Sequence, residues 1–71
     1  MVQQIRMFLR QTPFQPFQIR CSSGDILLVD HPENAAIVKH TVLVALPQGD
    51  EAIMLSALHI VGVSGIDQMA A

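Results

Sequence analysis

The sequence predicts a mainly β protein with an N-terminal helix, followed by about five short strands that bend strongly and close antiparallel into a small barrel. Three observations carry this expectation. The apolar period changes from helical to alternating between Leu9 and Phe17, across Pro13 and Pro16. Turn signals then recur at short intervals, at Ser22-Ser23-Gly24-Asp25, at His31-Pro32-Glu33 and at Pro47-Gln48-Gly49-Asp50. The connections are about two to four residues long, so neighbouring strands are expected to be antiparallel partners in a meander. At 71 residues the chain makes one domain over 1–71.

Each element has its own reason. Residues 2 to about 11 read as a helix because Ile5, Phe8 and Leu9 recur on one face. Pro13 stops it and pushes Thr12 away from helical angles. A helix this short is marginal alone, so it must pack on something. From Phe17, the residues Phe17, Ile19 and Cys21 point one way and Gln18 and Arg20 the other, which is a half-buried strand. Gly24 supplies the positive φ of the following turn. Asp25 to about Asp30 is a strand apolar on both faces, as suits a central or intersubunit position. Pro32 cannot donate to a ladder, so this long strand bends there and resumes at Asn34 or Ala35 as far as Val38. Lys39-His40 is read as a tight reversal, although neither residue type favours one. Thr41–Leu46, Glu51–Leu55 and His59–Val63 complete the strands, with Ser56-Ala57-Leu58 as a short connection. Residues 64–71 are expected to be a frayed tail.

Composition points to self-association. Apolar residues make up 51% of the chain and charged residues 14%, and the mean hydropathy is +0.42. A chain this small cannot hide that much apolar surface, and large exposed apolar patches mark interfaces. Other means of stabilising a small domain are lacking. Cys21 is the only cysteine, which excludes an internal disulfide, and the three His residues have no zinc-ligand spacing. No apolar run is long enough to span a membrane, and the start of the chain lacks the apolar core of a signal peptide. A cytoplasmic protein with a reduced thiol is expected. The net charge of −2 gives no general pull toward phosphate backbones.

The order of helix and strands resembles the Sm-like family, which includes bacterial Hfq, over roughly residues 2 to 63. Phe17-Gln18-Ile19 with Gly24-Asp25-Ile26 looks like the first hairpin of that fold, and Leu58-His59-Ile60-Val61-Gly62-Val63 looks like its final turn and strand. His59 matches the His of the Hfq Lys-His pair, whereas Leu58 stands where the Lys belongs. The Arg-Gly pair and the Asp-x-aromatic-x-Asn signature of other Sm proteins are absent. The resemblance implies rings in which the last strand of one subunit pairs with the fourth strand of the next, with RNA as a partner in the Hfq branch. The string Pro13-Phe14-Gln15-Pro16-Phe17-Gln18-Ile19, then a Gly turn and His31-Pro32-Glu33, also resembles a group of small bacterial proteins that implies no activity.

The candidate residues follow from both lines. The expected oligomer interface is Val42, Val44, Ile53, Leu55, Ile60, Val61 and Val63, taken from strands with two apolar faces. If RNA binds, Gln3, Gln4, Arg6 and Arg10 offer the polar helix face, Lys39 and His40 the pore-side loop, and His59 the matched histidine. The absence of Tyr and Trp argues against RNA, because it removes the usual stacking platform. Asp30, His31 and Glu33 could hold a metal or form an acid–base pair, but a bend whose polar groups satisfy freed backbone is the better reading. Cys21 reads as a buried small hydrophobe with no activating partner. The expectation is a non-enzymatic, self-assembling interaction module with no catalytic residues, metal, cofactor, membrane partner or evident small-molecule substrate. The alternative is an Hfq-like RNA-binding ring.

Overall fold

The computed structural model describes residues 2–46 and 51–66. It is mainly β, with one helix and two three-stranded antiparallel sheets. Helix α1 (Val2–Leu9) buries Ile5, and the chain leaves it through bonds from the Arg10 N–H to the Arg6 and Met7 carbonyls. Strands β1 (Phe17–Cys21), β2 (Ile26–Val29) and β6 (Ile60–Gly65) form the first sheet in the order β2-β1-β6. Strands β3 (Ala35–Val38), β4 (Thr41–Ala45) and β5 (Ala52–Ser56) form the second in the order β3-β4-β5.

The expected five strands are six, and the expected closed barrel is not formed among the described residues. The extra strand arises at Pro32, and the barrel stays open because no ladder joins β5 to β6 among the described residues. Residues Pro32–Asn34 wind into a 3₁₀ turn in which the Asn34 N–H bonds the His31 carbonyl at 3.0 Å. Asn34 Nδ2 also donates to Asp30 Oδ1 at 2.9 Å. These bonds hold the segment out of the ladder, so the run expected to bend as one strand is split between two sheets. Strand β2 consequently pairs only with β1, at the edge of its sheet. The last strand also runs further than expected, to Gly65, and the Ile66 N–H bonds the Pro16 carbonyl at 3.3 Å. The turn expected at Pro47–Asp50 and the rest of the expected tail lie outside the described residues.

The core lies between the two sheets and α1. Ile5, Phe17, Ile19, Val29, Val42, Val44 and Ile60 are buried there. Phe8 stacks on Phe17 with ring centroids 5.0 Å apart, and Phe14 meets the same ring edge-on at 6.1 Å. All three aromatic rings are therefore packed together under the helix, where they contribute apolar area and favourable ring geometry. On the inner face of the second sheet, Val42 pairs with Ile37 and Leu55, while Val44 pairs with Ala35 and Ile53. The β1–β6 ladder shifts between Arg20 and Cys21: Arg20 faces Gly62 and Cys21 faces Ile60. Val61 is the extra residue of this bulge and is exposed.

Candidate interaction surfaces

Backbone bonds gather part of the expected polar set at one end of the molecule. The Ala57 N–H donates to the His40 carbonyl at 2.8 Å, and the Ser22 N–H donates to the His59 carbonyl at 2.7 Å. The β3–β4 hairpin, the 3₁₀ turn Ala57–His59 and the β1–β2 turn thus meet, which brings exposed Lys39, His40 and His59 together. Ser56 shapes this turn by accepting a bond from the Leu58 N–H at 3.3 Å. Lys39 is the only non-glycine residue with positive φ, at 57°, among the described residues. A two-residue hairpin demands that conformation, and here a Lys adopts it.

The helix residues form a separate group. Gln3, Gln4 and Arg10 are exposed and Arg6 is half-buried, with Arg6 Nη1 donating to Gln3 Oε1 at 3.4 Å. Phe8 of this helix stacks on Phe17, the first residue of β1, whereas His59 bonds beside Cys21, the last residue of β1. The two halves of the expected RNA-contacting set are thus tied to opposite ends of β1. An apolar groove of about 190 Å³ runs along the helix, lined by Gln4, Met7, Phe8, Gln11 and Val63. Phe17 is completely buried, and Phe8 and Phe14 are half-buried against it.

The residues expected at a subunit interface divide by face. Val42, Val44 and Ile60 are buried in the subunit's own core, and Ile53, Leu55 and Val63 are half-buried. The bulge residue Val61 is 55% exposed. Further open apolar surface lies on residues outside that set. On the outer face of the second sheet, Ala36, Leu43 and Met54 form one cross-strand row and Ala45 and Ala52 another. Val38 and Met54 on this face are exposed, as are Ile26 and Leu28 on β2, and Leu58 is 89% exposed at the tip of its turn. The sequence did not single these out because alternation identifies two faces and does not say which one turns inward when both are apolar.

The bend at residues 30–34 carries a side-chain hydrogen bond of its own. Asp30 is engaged by Asn34, and no cluster of three or more His, Cys, Asp or Glu suited to a metal occurs among the described residues. Cys21 is buried beside the β1–β2 turn, and desolvation pushes its thiol above the ordinary value of 9.0, with the Asp25 carboxylate adding to the effect. A thiol held protonated in this way is a poor nucleophile.

One polar pair escapes sequence reasoning. Alternation puts Gln18 with Arg20 on the outer face of β1, yet Gln18 is buried, and Ser64 stands directly across from it on β6. Gln18 Nε2 and Ser64 Oγ have no hydrogen-bond partner among the described residues. Beside them the Arg20 guanidinium lies over Gly62, close enough that a Cβ there would meet it.

Searches of family models, curated proteins and solved structures return no match to this chain. No helix among the described residues is long and apolar enough to cross a membrane.

Proposed function

We propose that this chain is a non-enzymatic, self-assembling interaction module of Sm-like type. The observation that supports it most is the combination of open apolar sheet surface with strand edges that have no second ladder among the described residues. Strand β5 bonds only β4, and β6 bonds only β1, within the described ladders. Unpaired edges are templates for pairing with another chain, and β-proteins normally guard them with charges, Pro or bulges. Neither Ala52–Ser56 nor Ile60–Gly65 contains a charged residue or a Pro. Only the bulge at Val61 interrupts the β6 edge.

The strand order supports the Sm-like reading. If the 3₁₀ turn at Pro32–Asn34 is taken as the corner of one bent strand, the order becomes β6-β1-β2/β3-β4-β5. The strands that pair between subunits in the Sm-like scheme would then be β5 and β6, the two end strands of that order among the described residues. Joining β5 of one copy to β6 of the next is a heterologous contact, which closes into a ring when the rotation per subunit permits. Native mass spectrometry and sedimentation at micromolar concentration test this. An oligomer is expected, and a clean monomer overturns it.

A second reading, an Hfq-like RNA-binding ring, draws on the grouping of Lys39, His40 and His59 at one end. A ring would repeat Lys39 in every subunit and concentrate its charge. It predicts salt-sensitive binding of short U-rich or A-rich RNA that weakens in Arg6→Glu/Arg10→Glu. RNA affinity unchanged by that double reversal removes the helix face from this reading, and no RNA mass gained by the oligomer removes the reading itself.

A further inference from the structure

We propose that the outer face of β3-β4-β5 is a self-complementary docking face on which a second copy of this chain packs sheet to sheet about a two-fold axis. The proposal rests on the self-assembly reading and adds a contact distinct from the strand edges.

The face is apolar and carries no charge across its middle. Ala36, Val38, Leu43, Ala45, Ala52 and Met54 point outward, and the only polar side chains among them are Thr41 and Ser56, at the hairpin end. Charges stand at the two ends and differ in sign. Glu33 lies at one end, where it helps line a shallow depression of about 140 Å³ with Ala36, Leu43, Ala45 and Ala52. Exposed Glu51 flanks the same end, through the bond from the Leu46 N–H to the Glu51 carbonyl at 3.0 Å. Lys39 and His40 cap the other end in the β3–β4 hairpin.

This distribution selects one occupant and one orientation. An isologous contact requires that when residue i meets residue j of the partner, j meets i in return. A single face bearing a cation at one end and a carboxylate at the other meets that condition with a second copy of itself. Lys39 and Glu33 lie at opposite ends of β3, roughly 15–20 Å apart at strand rise. A two-fold axis in the plane between the sheets and perpendicular to the strands reverses strand direction and lays β3 over β3. Lys39 of each copy then reaches Glu33 of the other. An axis parallel to the strands would instead lay β3 over β5 and set Lys39 against Ser56, with no charge pairing.

Side-chain size agrees with the first arrangement. The depression at the acidic end is floored by the small side chains Ala36, Ala45 and Ala52. Val38, 56% exposed at the basic end of β3, is the side chain that the same axis sets over that depression. The knob and the hollow lie on one face and exchange places under one operation. Such a contact is a sheet sandwich with its layers about 10 Å apart.

The experiment is native mass spectrometry with sedimentation on the full chain, comparing wild type, Lys39→Glu, Glu33→Lys, the double swap and an equimolar mixture of the two single variants. Each single reversal sets like charges together twice per dimer, and roughly tenfold or greater weakening is expected. The mass of the wild-type assembly should then halve. In the double swap and in the mixture every Lys39–Glu33 position again carries opposite charges, so the full mass should return, with the mixture forming only mixed pairs across this face. Met54→Lys tests the same face without touching the hairpin, since that side chain is 72% exposed, and should also halve the mass while leaving the circular dichroism of the subunit unchanged. A wild-type assembly whose mass none of these variants alters overturns the face contact and leaves edge assembly standing. A wild-type monomer overturns both.

Discussion

Gly24 and Gly62 are both turn or strand glycines, yet they should respond to the same added methyl group to different degrees. Gly24 sits at φ 97° with open space where a Cβ would stand. Its cost is therefore purely conformational, and Gly24→Ala is expected to destabilise by about 1–2 kcal/mol. At Gly62 the backbone is ordinary and the obstacle is the Arg20 guanidinium, the far end of a flexible and exposed side chain. That group can swing aside, so Gly62→Ala should stay within about 0.5 kcal/mol of wild type. Urea titrations of the two variants check the contrast, and equal losses would contradict it. Cys21 gives a second prediction at this scale. Its folded pKa is raised, first by desolvation and then by Asp25. A raised pKa means the stabilisation is fully present below the ordinary value of 9.0 and is lost as pH rises through the folded value. The urea midpoint should fall in the alkaline range, and Cys21→Ala should flatten that fall. An unchanged alkaline slope in Cys21→Ala would show that another group sets it.

Among the elements, α1 buries a single residue completely and packs Val2, Phe8 and Leu9 around it. It is eight residues long, and the buried residue is Ile5. A helix of that length does not persist alone in water. Ile5→Ala should cost about 2–5 kcal/mol. Hydrogen exchange should show Val2–Leu9 losing protection before β1, because the strand ladders do not depend on the helix backbone. Simultaneous loss in helix and ladders would mean that the helix and sheets form one cooperative unit. The element scale also shows what could be read from the chain. Phe17, Ile19 and Cys21 announced the inner face of β1 because Gln18 and Arg20 marked the other side. Strand β4 has no such marker: Val42, Leu43, Val44 and Ala45 are all apolar, and only its register with β3 and β5 turns Val42 and Val44 inward. Pro32 announced an interruption, but the split into two strands depends on the Asn34–Asp30 bond, which periodicity does not encode. The burial of Gln18 was hidden for a related reason: alternation assigns a side chain to a face and does not say how closely that face is covered.

For the whole molecule, composition speaks to the amount of apolar surface, and the fold decides which residues carry it. An apolar fraction of 51% did foretell surplus apolar surface. Val42, Val44 and Ile60 go to the core, while Val61 stays open together with Met7, Ile26, Leu28, Val38, Met54 and Leu58. Grouping His40 with His59 required two backbone bonds between segments distant in sequence. Such bonds have no local signature.

The division of the strands into two sheets has a consequence for how the chain reaches this structure. The second sheet is one continuous stretch, Ala35–Ser56, in which each strand pairs with its immediate neighbour. The first sheet is completed only when β6 returns to β1, pairing Phe17 with Gly65 across about two thirds of the chain. Closing so long a loop must be offset by contacts that do not yet exist at the start of folding. The local meander should therefore order early, with the long closure late, so the β6 edge becomes available to a neighbouring copy only after the β5 edge is already exposed. During that interval a concentrated preparation holds chains with one open edge and no matching one, and the rate of closure, not the final stability, limits how much of it aggregates.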